Sequence, residues 1–272
     1  DLGITHIDLA DNYGPPPGMA ETLFGLVLAR EFKAYRDELV VATKAGHAMW
    51  PGPYGDWGSR KHLIAGLDQS LRRLRLDYVD LFYHHRPDPA TPLEETVGAL
   101  AQIVRQGKAL YIGLSKYPAD ELRRAVALLH AEGVPCVAHQ VRYNLIDRAE
   151  PEQSQLAAAQ EAGLGTVAFS PLAQGVLSGK YAAGVPADSR AGRGSPFIAR
   201  HLTDANVAFA RKVQAVAAAR GQTPAQTALA WVLRDPRVAS AVIGASSVAQ
   251  LRENVAALAN LRFDAAELAA LE

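Results

Sequence analysis

The chain has 272 residues and 29.1 kDa, with 28 Lys plus Arg against 28 Asp plus Glu. That length can bury one large core, and the balanced charge offers no field for steering nucleic acid or an anionic membrane surface. The lone Cys136, set in an apolar run, gives no disulfide framework and favours a reduced, cytoplasmic protein, and no stretch approaches the roughly 20 apolar residues of a membrane span.

Segments rich in Val, Ile and aromatics alternate with amphipathic ones. In chain order, strands are expected at 5–10, 39–45, 78–85, 109–115, 136–142, 165–170 and 239–244. Helices are expected at 19–31, 60–74, 93–106, 119–132, 152–162, 203–219 and 224–234. In 60–74, Leu63, Leu67, Leu71 and Leu74 recur at helical spacing. Thr223-Pro224 reads as an N-cap followed by proline at the first helical position, and Thr91-Pro92 opens 93–106.

Strict βα alternation predicts a parallel sheet with helices outside it, either open and doubly wound or closed as an eight-stranded barrel. No Gly-x-Gly-x-x-Gly occurs in any βα turn, which argues against the dinucleotide-binding open sheet. Seven strands are one short of a barrel, and Asp1-Leu2-Gly3 reads like the stop of a helix. The expectation is a single-domain α/β protein over 1–272, a (β/α)8 TIM barrel lacking its first strand and helix and shortened after Leu271-Glu272. Strands 5–10 and 239–244 would then flank an open seam prone to pairing with other chains.

Three of these strands deliver chemistry at their C-terminal ends. Asp8 lies in the first, with Tyr13 five residues on; Lys44 ends the second; His84-His85 end the third. In a parallel α/β protein all such ends share one face, where active sites form. Taken singly, Asp8 could be a helix cap, Tyr13 a loop aromatic and Lys44 a solvated strand end. Together an acid, a phenol, a lysine and a histidine make a proton-transfer set. Successive strand residues point to opposite faces, so only one of the two histidines can face the site. Adjacent histidines therefore make a poor metal site, and no second ligand cluster with zinc-like spacing is present.

The run His6-Ile7-Asp8-Leu9-Ala10-Asp11-Asn12-Tyr13-Gly14 resembles the Asp-x-Ala-x-x-Tyr-Gly signature of aldo-keto reductases. Further matches follow in order: Lys44, Asp80 to Pro87, Gly113-Leu114-Ser115, Gln140-x-x-Tyr143-Asn144, Phe169-Ser170-Pro171-Leu172, and Gly244-Ala245-Ser246 leading to Gln250-x-x-Glu253-Asn254. The resemblance runs nearly end to end. It is sharpest for the branch holding glyceraldehyde 3-phosphate reductases and potassium-channel β subunits, through Trp50 to Gly55, Pro92 to Thr96, Gly107 to Tyr111 and Ala173-Gln174-Gly175.

The resemblance implies an NADPH-dependent reductase of small aldehydes such as glyceraldehyde 3-phosphate or methylglyoxal. It makes Tyr13 the proton donor, Lys44 and Asp8 the pair that tunes it, and His85 the residue that orients the carbonyl. A phenol with a free pKa near 10 needs such a neighbouring ammonium to act as an acid near neutrality. His84 is then structural. Ser115 and Gln140 are implied for the nicotinamide carboxamide, Phe169 for its ring face, and Ser170, Pro171, Leu172, Gln174 and Gly175 for the pyrophosphate. Lys180 and Arg190 match phosphate-reaching positions, and Gly244, Ser246, Gln250, Glu253 and Asn254 match the adenosine end.

Ser247 stands where relatives often carry arginine or asparagine near the 2′-phosphate, which weakens the preference for NADPH and leaves NADH open. Trp50, Tyr54 and Trp57 are read as a pocket wall. Arg60 and Arg86 are candidates for a substrate phosphate, Arg86 equally for a structural ion pair. The partner expected is a small-molecule carbonyl substrate, with a homo-tetramer or octamer by analogy. Two other classes stay open: an NADP-binding redox-sensing subunit with slow turnover, and a Schiff-base aldolase using Lys44.

Overall fold

The computed structural model of the protein describes residues 2–272, so Asp1 lies outside the described residues. The chain divides into two compact units, one of Gly3–Gln140 and Ala157–Leu164, the other of Val141–Leu156 and Gly165–Glu272.

The first unit alternates strand and helix as expected: β1 (His6–Asp8), α1 (Met19–Val27), β2 (Val40–Ala45), α2 (Arg60–Leu74), β3 (Val79–His84), α3 (Leu93–Arg105), β4 (Ala109–Ser115), α4 (Ala119–Ala131) and β5 (Cys136–Arg142). Each of β1 to β4 pairs in parallel with the next strand in sequence. Parallel strands covered on both faces are buried along their length, and β2 obeys this from Val41 to Ala45, all buried although Thr43 and Lys44 interrupt the apolar run. Leu63, Leu67, Leu71 and Leu74 of α2 join Val41, Phe82, Ile112 and Leu114 in one apolar core.

Helix boundaries follow local chemistry. Ser59 caps α2 by accepting from the His62 N–H, and Arg75 closes it in a left-handed conformation (φ 59°). The expectation of a helix over 19–31 needs correction. Regular winding stops at Val27, Leu28–Phe32 widens to a π turn, and Lys33–Glu38 tightens to 3-10. Arg36 anchors that turn, bonding the carbonyls of Leu39 and Tyr78 and pairing with Asp80 at 2.8 Å. Thr91 does not cap α3; its hydroxyl donates to Asp88 and Pro92 occupies the cap position. The first strand is three residues rather than six, though Leu9 and Asp11 still donate to the carbonyls of Ala42 and Lys44.

In the second unit β6 (Gly165–Phe169) pairs in parallel with β7 (Val238–Ala241). A π turn at Pro151–Gln155 leads into the short α5 (Leu156–Glu161), the region expected as one helix from 152. Between the two strands come α6 (Pro196–Ala199), α7 (Asp204–Ala219) and α8 (Pro224–Leu233); α9 (Val248–Val255) and α10 (Ala265–Ala270) follow β7. The Thr223 cap is present and reciprocal, with Gln226 returning a bond to the Thr223 N–H. Trp231, Tyr143, Val176, Leu177 and Val213 form its apolar core. The short α6 and α10 escape the sequence reading because neither has room for two turns of apolar periodicity. Among the described residues no helix is long and apolar enough to cross a membrane.

Candidate active site

Asp8, Tyr13, Lys44, His85 and Gln140 converge in the first unit. Lys44 lies within a wholly buried stretch of β2, and its side chain has no solvent exposure. A buried ammonium must be paired. Its Nζ meets Asp8 Oδ2 at 2.6 Å and donates to the Leu9 carbonyl at 2.8 Å. The Tyr13 hydroxyl lies 3.5 Å from the same Nζ, an electrostatic distance rather than a tight hydrogen bond. The other Asp8 oxygen accepts from Gln140 Nε2 at 2.9 Å. Lys44 is thus a buried residue paired with Asp8 rather than a solvated strand end.

Tyr13 is held by its backbone, which bonds the Ala10 carbonyl and receives the Ala20 N–H, while its side chain remains 37% exposed. The phenol therefore touches a buried charge on one side and open space on the other. His85 stands edge-on to Tyr13 with ring centroids 5.9 Å apart, and is 4% exposed. Burial, then the positive charges of Lys116 and Lys44, hold its imidazole far below the usual histidine range. A neutral ring donates one N–H, which suits it to orient a carbonyl oxygen.

His84 departs from the site as the strand alternation requires. It is fully buried, bonds the Tyr117 hydroxyl through Nδ1 at 2.6 Å, and is pushed down to about 3 by burial. Tyr83 on the preceding position packs its ring onto Gly113, where any side chain would meet it at 2.3 Å. That glycine is required by close approach, and the ring in turn lies 5.7 Å from Lys44 Nζ.

The loop 46–58 is tied down by Arg86. Its guanidinium bonds the Gly46 carbonyl at 2.7 Å and Asp56 at 2.6 Å, and lies 3.6 Å from the centre of the Trp57 ring. Of the two readings of Arg86, the ion pair is present. Arg60 is turned to α3, donating to Gly98 and Gln102. Trp50 stacks near His62 at 5.0 Å, and Tyr54 is exposed beneath the Lys61 ammonium.

Two residues beside this set were not singled out in the sequence. Lys116 follows Ser115 in a left-handed conformation (φ 62°), and its Nζ is 3.4 Å from His47 Nε2. The His47 ring is 4.5 Å from that of His85. Burial and the cations Lys44 and Arg86 bring Lys116 down to about 8, and burial with Lys116 and Arg86 brings His47 to about 4.

Each unit by itself holds a buried polar atom without a partner among the described residues. Ser115 Oγ is buried without a hydrogen-bond partner among the described residues, as is Asn254 Nδ2. In the second unit, Ala173, Gln174 and Gly175 are successively left-handed (φ 45°, 58° and 99°), with the N–H groups of Ala173 and Gly175 donating to the carbonyls of Ser170 and Leu172. Ser170 (φ 54°) accepts from Asn144 Nδ2 at its carbonyl and from Gln174 Nε2 at its hydroxyl, and Gln174 Oε1 accepts from Arg190 at 2.7 Å. Phe169 lies 5.4 Å from the Arg142 guanidinium, and Lys180 is exposed. Ser247 is the N-cap of α9, and Gln250 Oε1 accepts from both the N–H and the hydroxyl of Ser246. Gly244 and Glu253 are exposed nearby.

Comparison with known proteins shows the family. The chain is 52% identical over 276 residues to an L-glyceraldehyde 3-phosphate reductase of Escherichia coli (strain K12), covering 100% of this chain and 80% of that protein. It is 38% identical over 268 residues to a putative voltage-gated potassium channel subunit beta of Schizosaccharomyces pombe (95% and 76% covered), and 38% identical over 264 residues to a probable one of Oryza sativa (95% and 79%). The model of the aldo/keto reductase family matches residues 1–272. This chain is an oxidoreductase and belongs to the aldo/keto reductase family.

Proposed function

We propose that this protein reduces small aldehydes, with glyceraldehyde 3-phosphate and methylglyoxal as model substrates, to alcohols at the expense of NADPH, Tyr13 giving the proton. The observation that carries the reading is Lys44 Nζ, fixed at 2.6 Å from Asp8 and standing 3.5 Å from the Tyr13 hydroxyl. When bound, the nicotinamide supplies the hydride. All else falls to side chains. Lys44 stabilises the phenolate that Tyr13 becomes, Asp8 keeps Lys44 charged and in place, and neutral His85 donates an N–H to the carbonyl oxygen that Tyr13 protonates.

Ser115, Gln140 and Phe169 are assigned to the nicotinamide end. Ser170, Pro171, Leu172, Gln174, Gly175, Lys180 and Arg190 are assigned to the phosphates, and Gly244, Ser246, Gln250, Glu253 and Asn254 to the adenosine end. Trp50 and Tyr54 line the substrate approach. NADH stays as the alternative because Ser247 brings no charge to a 2′-phosphate.

Steady-state oxidation of NADPH with methylglyoxal or glyceraldehyde 3-phosphate tests the proposal. Turnover that needs both substrates supports it. NADPH fluorescence enhancement on binding, with no turnover of either aldehyde, would instead mark a nucleotide-sensing subunit. Borohydride trapping of a carbonyl on Lys44 would mark an aldolase.

A further inference from the structure

One continuous run of side-chain hydrogen bonds in the second unit joins His201 to the loop that follows β6. Its middle is Asn144, fully buried just past β5, whose amide spends all four of its bonding positions. Asn144 Oδ1 accepts the N–H groups of Ile146 and Asp147, while Nδ2 donates to the Ser170 carbonyl at 3.0 Å and to Asp147 Oδ2 at 3.1 Å. The same Asp147 oxygen meets His201 Nε2 at 2.9 Å. At the far end the Ser170 hydroxyl accepts from Gln174, and Gln174 holds Arg190. His201 is 3% exposed and is fixed from behind, its N–H bonding the Ile198 carbonyl and its own carbonyl accepting from Asn206 in the first turn of α7. That helix packs through Ala210, Val213 and Val216, so His201 ties the segment 144–147 to a rigid element.

The loop needs such a tie. Ser170, Ala173 and Gln174 all carry a Cβ yet sit at positive φ, a strain that persists only where the surroundings over-determine it. The Ser170 carbonyl takes both the Ala173 N–H and the Asn144 amide, which clamps the turn from outside. We propose that His201, acting through Asp147 and Asn144, is a positioning residue that holds the strained 170–175 loop in the shape that receives the pyrophosphate of a nicotinamide dinucleotide. The inference rests on the cofactor reading of this loop and adds to it residues outside the set assigned to the cofactor. Without His201, Asp147 loses its link to α7 and the loop occupies its receiving shape for less of the time. Affinity falls by that fraction. The pyrophosphate is common to NADPH and NADH, so both should weaken alike.

Fluorescence titration of both nucleotides against wild type, His201→Phe, His201→Gln, Asp147→Ala and the double variant His201→Phe/Asp147→Ala tests this, with thermal melts to confirm folding. Kd for each nucleotide should rise roughly two- to thirtyfold in His201→Phe, the effect expected of a residue acting through a network. His201→Gln, which keeps a donor towards Asp147, should recover most of the affinity. The double variant should bind no more weakly than the weaker single one, since both changes break one link. A folded His201→Phe with the wild-type Kd overturns the inference. So do additive losses in the double variant, a loss that glutamine does not recover, or a loss confined to NADPH, which would place the effect at the 2′-phosphate. Should the phenylalanine variant not fold, Asp147→Ala, altered at a partly exposed side chain, carries the same test, and a wild-type Kd there overturns the inference. A wild type that binds neither nucleotide fails the cofactor reading itself, a result distinct from all of these.

Discussion

Gln140 donates a side-chain N–H to Asp8 at 2.9 Å, joining residues 132 apart in the chain. With Lys44 on the other oxygen at 2.6 Å, both faces of the carboxylate are taken and the lysine has no slack. A residue proposed for the cofactor thereby also fixes the carboxylate that holds Lys44. Asp8→Asn is expected to cost about 3–5 kcal/mol of stability, because it strands a buried ammonium. Gln140→Leu, which removes a hydrogen bond to a charged group, should cost about 1.5–3 kcal/mol. Urea unfolding of the two variants checks the order; Asp8→Asn as stable as Gln140→Leu would show that Lys44 is not charged in the fold.

Tyr13→Phe removes the dissociable proton and little else, since the ring is exposed and anchored through its backbone. Turnover should fall by roughly 10²–10⁴-fold while the NADPH dissociation constant stays near wild type. A variant retaining more than half of wild-type kcat would remove Tyr13 from the role.

Much of this site was legible as residue types at strand ends, because a parallel sheet must bring those ends together. The pairing of Lys44 with Asp8 and the division of labour between His84 and His85 follow from alternation and from the need to neutralise a buried charge. Lys116 follows an apolar strand as Lys44 lies in one, but its place beside His47 depends on a left-handed turn that residue types do not announce. Arg86 could not be assigned from sequence, since its partners Asp56, Gly46 and Trp57 lie in a loop whose path depends on its glycines and prolines. The irregular turn at 28–38 was missed for a similar reason: Arg36 sets it through carbonyls remote in sequence.

Asp11 is fully buried near the Glu21 carboxylate, and burial followed by that charge raises its carboxyl well above the usual range. Its contribution to stability is therefore fully present below the unfolded-state value, about pH 4, and is lost as pH rises through the raised folded value. Asp11→Asn should melt above the wild type near pH 8, with the advantage gone towards pH 4. Thermal melts at several pH values decide it; an advantage that does not change with pH would show that the carboxyl is not titrating.

Ser247 caps α9 by accepting from the Gln250 N–H. Ser247→Arg should cost the fold about 1 kcal/mol through loss of the cap. It should also improve the NADPH-to-NADH affinity ratio roughly tenfold to a hundredfold, less at high salt. Fluorescence titration with both nucleotides checks this, and an unchanged ratio would show that position 247 does not face the 2′-phosphate.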